Sequence, residues 1–255
     1  MLRLSSILAL SFLTLSLFSS CDKFKKTGTV ELQFRAYYDG QPLVMLEEYG
    51  YNDTLAILFQ RFNFYISDMA AIPSEGNQEA KLVDIDFVDF DAVDNLAKAE
   101  EGYVIKIEKV RADDFKSVFI GLGIPADLNA TKESDYPDSH PLGKESHYWT
   151  AWESYIFSMI NGKVDTDGDG VFDDSSVLYH CGSDAVYRSK TIDHEFTVKG
   201  GETTRITFAV DLHKLFREGE GYMDIIAIPA THTLDNLPQA IKVMDNFIEV
   251  LEIEE

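Results

Sequence analysis

Cysteine is nearly missing: the 255-residue chain holds only Cys21 and Cys181. A disulfide framework is therefore excluded, and the fold must stand on a hydrophobic core. Basic residues are half as many as acidic ones, 22 against 44, for a formal net charge of -22. Such a surface repels nucleic acid and anionic membrane faces and suits metal cations. There is no nucleophile elbow, zincin helix or phosphate loop, and carboxylate pairs in so acidic a chain arise by chance. The expectation is a protein that is not an enzyme. No repeat and no interdomain linker is visible. Tryptophan is the scarcest aromatic residue, and both copies, Trp149 and Trp152, fall in one stretch, "HYWTAWESYIF", beside His147.

A long apolar run occurs at the N-terminus, "MLRLSSILALSFLTLSLFSSC". It is too short and too rich in serine for a membrane span and reads as a secretory signal over residues 1–20. Small residues directly before Cys21 resemble the lipobox of bacterial lipoproteins, in which that cysteine is cut free and acylated. The alternative is an ordinary signal peptide cut nearby, leaving Cys21 a plain thiol. On the lipobox reading residues 21–26 form a lipid-anchored tether, and the expected location is the cell envelope, on the outer membrane.

From residue 27 to 255 the chain reads as one domain. In "TVELQFRAYY", Val30, Leu32 and Phe34 face one way and Glu31, Gln33 and Arg35 the other, the period of a half-buried strand. "LAILFQRFNFYISDM", "KLVDIDFVDF", "GYVIKIEKV", "KSVFIGLGI", "TIDHEFTV", "TTRITFAVDL", "YMDIIAIPA" and "FIEVLEI" have the same β-branched and aromatic character. Many short strands divided by Gly, Asp and Asn turns predict an all-β fold, an antiparallel β-sandwich. One or two short helices are expected, in "DLHKLFRE" and "LPQAIKVMDNF". The stretch 126–146 is polar and without period, a long loop leading straight into "HYW".

Two candidate metal sites stand out. In "DTDGDGVFDD", Asp165, Asp167 and Asp169 alternate, Gly170 permits a sharp turn, Val171 offers a carbonyl, and Asp173 or Asp174 closes the sphere. This places hard oxygens around one point, as Ca²⁺ requires. Ser176 stands at the twelfth position and the flanks read as strands, so the loop is not an EF-hand but a calcium-type insertion in a hairpin. An Asx-rich turn that binds nothing is the plainer alternative. The second candidate draws on the six histidines. Across that hairpin "VLYHCG" pairs with "YIFSMINGKV", bringing His180 near residues 150–157. Were His147 on a strand, it and Trp149 would address one point. Imidazole with Cys181 as a neighbouring soft donor suits Cu(I).

"TVELQFRAYYDGQPL", "RFNFYISDM", "DSHPLGKESHYWTAWESYIF" and "VLYHCG", in this order, resemble the MbnP-like family of methanobactin-associated and CorA-type copper-binding envelope proteins. The resemblance implies a β-sandwich and a Cu(I) site containing His-x-Trp, here His147 and Trp149, with His180 as a further ligand. It also implies oxidation of that Trp to kynurenine by a dihaem peroxidase-like partner of the MbnH type. The chain departs from the family pattern in three ways. Its tryptophans are three apart, no histidine precedes His140, and the aspartate loop is inserted. The competing expectation is a structural lipoprotein with a calcium-pinned sandwich and no transition metal.

Overall fold

A computed structural model describes residues 26–254. The signal segment and the Cys21 lipidation site lie outside the described residues. Within them the elements run β1 (Thr27–Tyr38), β2 (Gln41–Pro42), β3 (Glu48–Gly50), β4 (Ala56–Pro73), β5 (Ala80–Asp89) and α1 (Leu96–Glu101). Next come β6 (Tyr103–Arg111), β7 (Asp113–Leu122), α2 (Ala126–Asn129) and β8 (Tyr148–Trp149). The hairpin β9 (Ser154–Asp165) and β10 (Ser175–Gly182) follows, then β11 (Arg188–Val198), β12 (Thr203–Asp211) and α3 (Leu212–Leu215). The chain closes with β13 (Arg217–Glu218), β14 (Gly221–Tyr222), α4 (Leu237–Val250) and β15 (Glu252–Ile253).

Two sheets form a sandwich. One has the order β15-β12-β1-β2, with β6 also on β1. The other runs β10-β9-β4-β7-β11, with β3 and β5 on β4 and β8 on β9. The long β4 organises the second sheet: its first half pairs with β9, its second half with β7, and its other edge with β5. All these pairings are antiparallel except that of β1 with β12, which is parallel. Alternation does what the sequence pattern predicts. Val30, Leu32 and Phe34 are at most 1% exposed. Phe34 stacks on Phe208 at 4.9 Å between centroids and meets Phe64 of the facing sheet edge-on at 6.1 Å. These aromatic pairs add about 0.5–1.5 kcal/mol each beyond the area they bury.

Two strand expectations fail. "FIEVLEI" contributes mostly to α4, which runs on to Val250. Its Ala240, Val243, Met244, Phe247 and Ile248 recur at helical spacing and are buried, so packing overrides the β-branched composition. "YMDIIAIPA" is not a strand beyond Tyr222. Asp224 caps a turn there through Oδ1, which accepts from the amides of Ile226 and Ala227. A single parallel bridge, Leu178 to Ala230, and a hydrogen bond from Tyr179 Oη to the Ile228 carbonyl tie the segment to the sheet.

Candidate metal centre

The middle of the second sheet is buried on both faces, as the unbroken run of buried residues from Ser154 to Ile160 in β9 shows. On β4, Phe62 and Phe64 face the core, where they meet Phe247, while Asn63 and Tyr65 face the other, outer side, because successive strand side chains alternate. The stretch 126–146, read from sequence as a loop, forms together with the residues up to Trp152 the roof over this outer face. It carries α2 and three short 3₁₀ turns, Glu133–Asp135, Pro141–Gly143 and Glu145–His147. It is held by buried hydroxyls and amides. Tyr65 Oη donates to the Pro141 carbonyl at 2.9 Å and Tyr155 Oη to that of Leu142 at 3.1 Å. Asn129 Oδ1 accepts from the Tyr155 amide at 2.9 Å.

Three side chains form a row under that roof. Asn63 of β4, Met159 of β9 and His180 of β10 are direct partners across the three strands and therefore share a face. Each end of the row receives a histidine or an aromatic group from elsewhere.

At the Asn63 end sits His147, only 4% exposed. It lies in the last 3₁₀ turn and not on a strand, so the expected two-apart alignment with Trp149 does not arise. Its ring meets Phe87 at 4.6 Å and Tyr65 at 6.0 Å. Its Nε2 is 2.9 Å from Asn63 Oδ1, and its Nδ1 is 3.0 Å from Ser146 Oγ. Asn63 Nδ2 donates to Asp91 Oδ1 at 3.1 Å. That bond fixes the amide, so Asn63 offers an oxygen to His147 and Nε2 carries the proton. Burial first, then the charges of Lys144, Arg61 and His180, pushes the His147 pKa down to about 4.

At the other end three rings gather on His180. His232 lies 4.5 Å away between centroids, Trp149 6.2 Å, and Trp149 is 5.5 Å from His232. Trp152 covers Trp149 at 4.5 Å. His232 is placed by its neighbours. The Leu178 amide donates to the Pro229 carbonyl at 2.8 Å, and Thr231 Oγ1 donates to the His180 carbonyl at 2.9 Å. His180 Nε2 contacts Asn161 Oδ1 at 2.7 Å. Burial first, then His232 and Arg61, lowers its pKa to about 4, and burial lowers that of His232. Both rings are thus neutral at pH 7, the state in which imidazole ligates metal. The Nε2 of His232 is shut off from solvent yet has no hydrogen-bond partner among the described residues. A buried polar atom without a partner is costly and calls for an explanation; a metal ion bound there fits.

The structure therefore brings Trp149 and His180 together and adds His232. It sets His147 beyond Asn63, with both ring nitrogens engaged. His232 was not among the sequence candidates: "ATHTL" has no period, and its place depends on a parallel bridge and on the side chains of Thr231 and Asn236 bonding to carbonyls. Cys181, expected as a nearby soft donor, points the other way. It is fully buried in the core, and burial pushes its thiol up to about 12.

The aspartate loop caps the far tip of the β9–β10 hairpin. Carboxylate oxygens of Asp165, Asp167 and Asp174 lie within 4.8 Å of one another. Asp165 accepts from the amides of Asp167 and Gly168 through Oδ1, and from Gly170 through Oδ2. The Gly168 and Gly170 bonds chiefly hold its carboxyl below the usual range. Asp169 Oδ1 accepts from the Val171 amide at 2.8 Å, and Val171 is 49% exposed. Ser176, at the twelfth position, accepts from Lys163 Nζ at 3.0 Å. Asp169 and Asp173 do not belong to the converging group.

The family model described as MbnP matches residues 27–236. No curated protein matches the chain. Among solved structures, MbnP from Methylosinus trichosporium is similar at 12% identity with a TM-score of 0.53, over 75% of this chain and 78% of that one. At that identity the likeness speaks for the fold.

Proposed function

The chain belongs to the MbnP family, and from that premise we propose that it is a copper-binding lipoprotein of the cell envelope, with the metal held as Cu(I) by His180 and His232 beneath Trp149. The family is linked to copper. The observation that carries the reading for this chain is the sealed, unpartnered Nε2 of His232, packed on a second neutral imidazole. Neutral imidazole nitrogens suit a monovalent soft ion. Trp149 closes the pocket and is the indole to be oxidised to kynurenine by an MbnH-type dihaem partner, which would supply a further nitrogen donor. His147 serves through Asn63, fixing one end of the row.

The aspartate loop adds a structural calcium ion, with Asp165, Asp167 and Asp174 as its side-chain ligands. The support is the convergence of their oxygens at the end of a hairpin. It would pin the turn without taking part at the copper centre.

The test is a Cu(I) competition titration on wild type, His180→Ala, His232→Ala and His147→Ala. Loss of affinity in the first two variants, with a smaller change in the third, is expected. Equal affinity in all four would remove the site. A gain of roughly 4 Da on the Trp149 peptide of protein from its own host would report the kynurenine.

A further inference from the structure

The row between the two histidines has a sulfur at its centre. Met159 is flanked by Asn63 on one side and His180 on the other, and is 3% exposed. A residue at such a position is expected to be packed by hydrocarbon alone. Instead its thioether takes a polar contact: Arg61 Nη1 donates to Sδ at 3.7 Å. Arg61 pairs with Asn161 in the next row on the same face, and Asn161 holds Nε2 of His180. The sulfur and the imidazole are therefore positioned by one neighbouring row of side chains. A thioether sulfur carries two lone pairs, and the arginine occupies one.

We infer that Met159 Sδ is a ligand of the copper ion, completing with His180 and His232 a mixed nitrogen and sulfur site that selects the monovalent state. The inference rests on the copper reading above and names the residue that sets its specificity. Two physical effects act in one direction. A thioether is a soft donor, favouring Cu(I) and adding little for Cu(II). The Arg61 guanidinium adds a fixed positive charge beside the pocket. Coulomb repulsion on an ion of charge two is twice that on an ion of charge one, so the arginine penalises Cu(II) more. Asp91, 3.7 Å from Arg61 Nε, offsets part of that charge. Asn63, which spends both ends of its amide on His147 and Asp91, stands on the sulfur's other side and offers no ligand. Exchange of Met for Leu keeps the volume and removes the donor.

The experiment uses copper itself as the probe. Purified wild type, Met159→Leu and His180→Ala are titrated with Cu(I) against a chromophoric chelator, and separately with Cu(II). X-ray absorption is recorded at the copper edge, with a parallel sample of selenomethionine-labelled wild type. We expect a sulfur shell in wild type that becomes a selenium shell on labelling and is absent from Met159→Leu. We expect Cu(I) affinity to fall at least ten-fold in Met159→Leu while Cu(II) affinity changes less than two-fold. Labelled wild type needs no substitution, so the result does not depend on the variant's folding. A nitrogen-only shell in wild type, a sulfur shell that survives in Met159→Leu, or unchanged Cu(I) affinity in that variant would overturn the role of Met159 and leave the histidine site standing. Equal Cu(I) affinity in wild type and His180→Ala would instead remove the copper reading, and this inference with it.

Discussion

Nε2 of His147 donates to Oδ1 of Asn63 across 2.9 Å, joining the roof segment to the central strand of the larger sheet. The ring is neutral because burial disfavours its charged form. In the metal-free protein this makes stability depend on acid. The folded-state pKa, about 4, lies below the ordinary histidine value of 6.5. The unfolded chain therefore takes up the proton first as pH falls. The contribution is complete above about pH 6.5 and is lost progressively down to about pH 4. At about 1.4 kcal/mol per unit the loss is roughly 3 kcal/mol as an upper figure. Urea midpoints at pH 7 and 4.5 measure it. His147→Gln should show a shallower fall than wild type over that window, and an identical slope would mean that the ring is not held neutral.

Asn63→Leu should be worse than its size suggests. It leaves the His147 proton and Asp91 with one partner fewer inside the protein. An unsatisfied buried polar group costs about 1–3 kcal/mol. Denaturant unfolding of the variant at pH 7 measures this, and a change under a few tenths would contradict the bond.

Calcium should raise the thermal midpoint, and two aspartates should respond differently. Ligand at a thousand times its Kd stabilises by about 4 kcal/mol. Asp167 accepts one amide within the turn, from Asp169. Asp167→Ala should therefore abolish the calcium response and leave the chelator-treated midpoint nearly unchanged. Asp165 accepts three amides. Asp165→Ala should lower the midpoint even in chelator. Differential scanning calorimetry with and without chelator separates the two, and no shift in wild type would exclude the ion.

Cys181 should be chemically silent in the native state. Its thiol is fully buried and its pKa is raised by that burial, so no thiolate forms near neutral pH. A thiol reagent at pH 8 should label Cys181 only after unfolding, at the unfolding rate. Rapid labelling of folded protein would show that the core opens.

Gly182→Ala should disturb the metal centre without touching a ligand. A Cβ there would stand 2.5 Å from the Tyr155 carbonyl oxygen, where β9 and β10 slip register. Forcing that contact costs about 1–3 kcal/mol. His180 is two residues away, so Cu(I) affinity should fall with stability. Parallel melting and competition titration check it.

The strands were legible because alternation over β1 and β12 leaves few other ways to bury Val30 or Ile206, and β9 because its run is rich in aromatic and β-branched residues. The same pattern put His180 opposite the aromatic strand. Other features were hidden for identifiable reasons. His232 sits on irregular chain whose position is set by Thr231 and Asn236 side chains bonding to carbonyls, a pattern with no sequence period. Met159 looks like any apolar strand residue until its partners on both sides are known. The roof reads as polar loop because its buried members, Asn129, Leu142 and His147, are spaced by turns. The end of α4 misleads because Ile248 and Val250 favour strands in isolation.

The course of β4 sets two ends of the domain far apart. Lys26, at the start of the described chain, bonds to Ala112, beside the end of β4 at Pro73 and Ser74. The opposite end, Ala56, is paired with Asp165 of the aspartate loop. An extended strand of that length covers roughly 55 Å. The acidic loop and the start of the described chain therefore stand at opposite ends of the domain, with the row of Asn63, Met159 and His180 between them. Cys21→Ser should release the protein from the membrane fraction, and retention there after the substitution would remove the proposed lipid anchor.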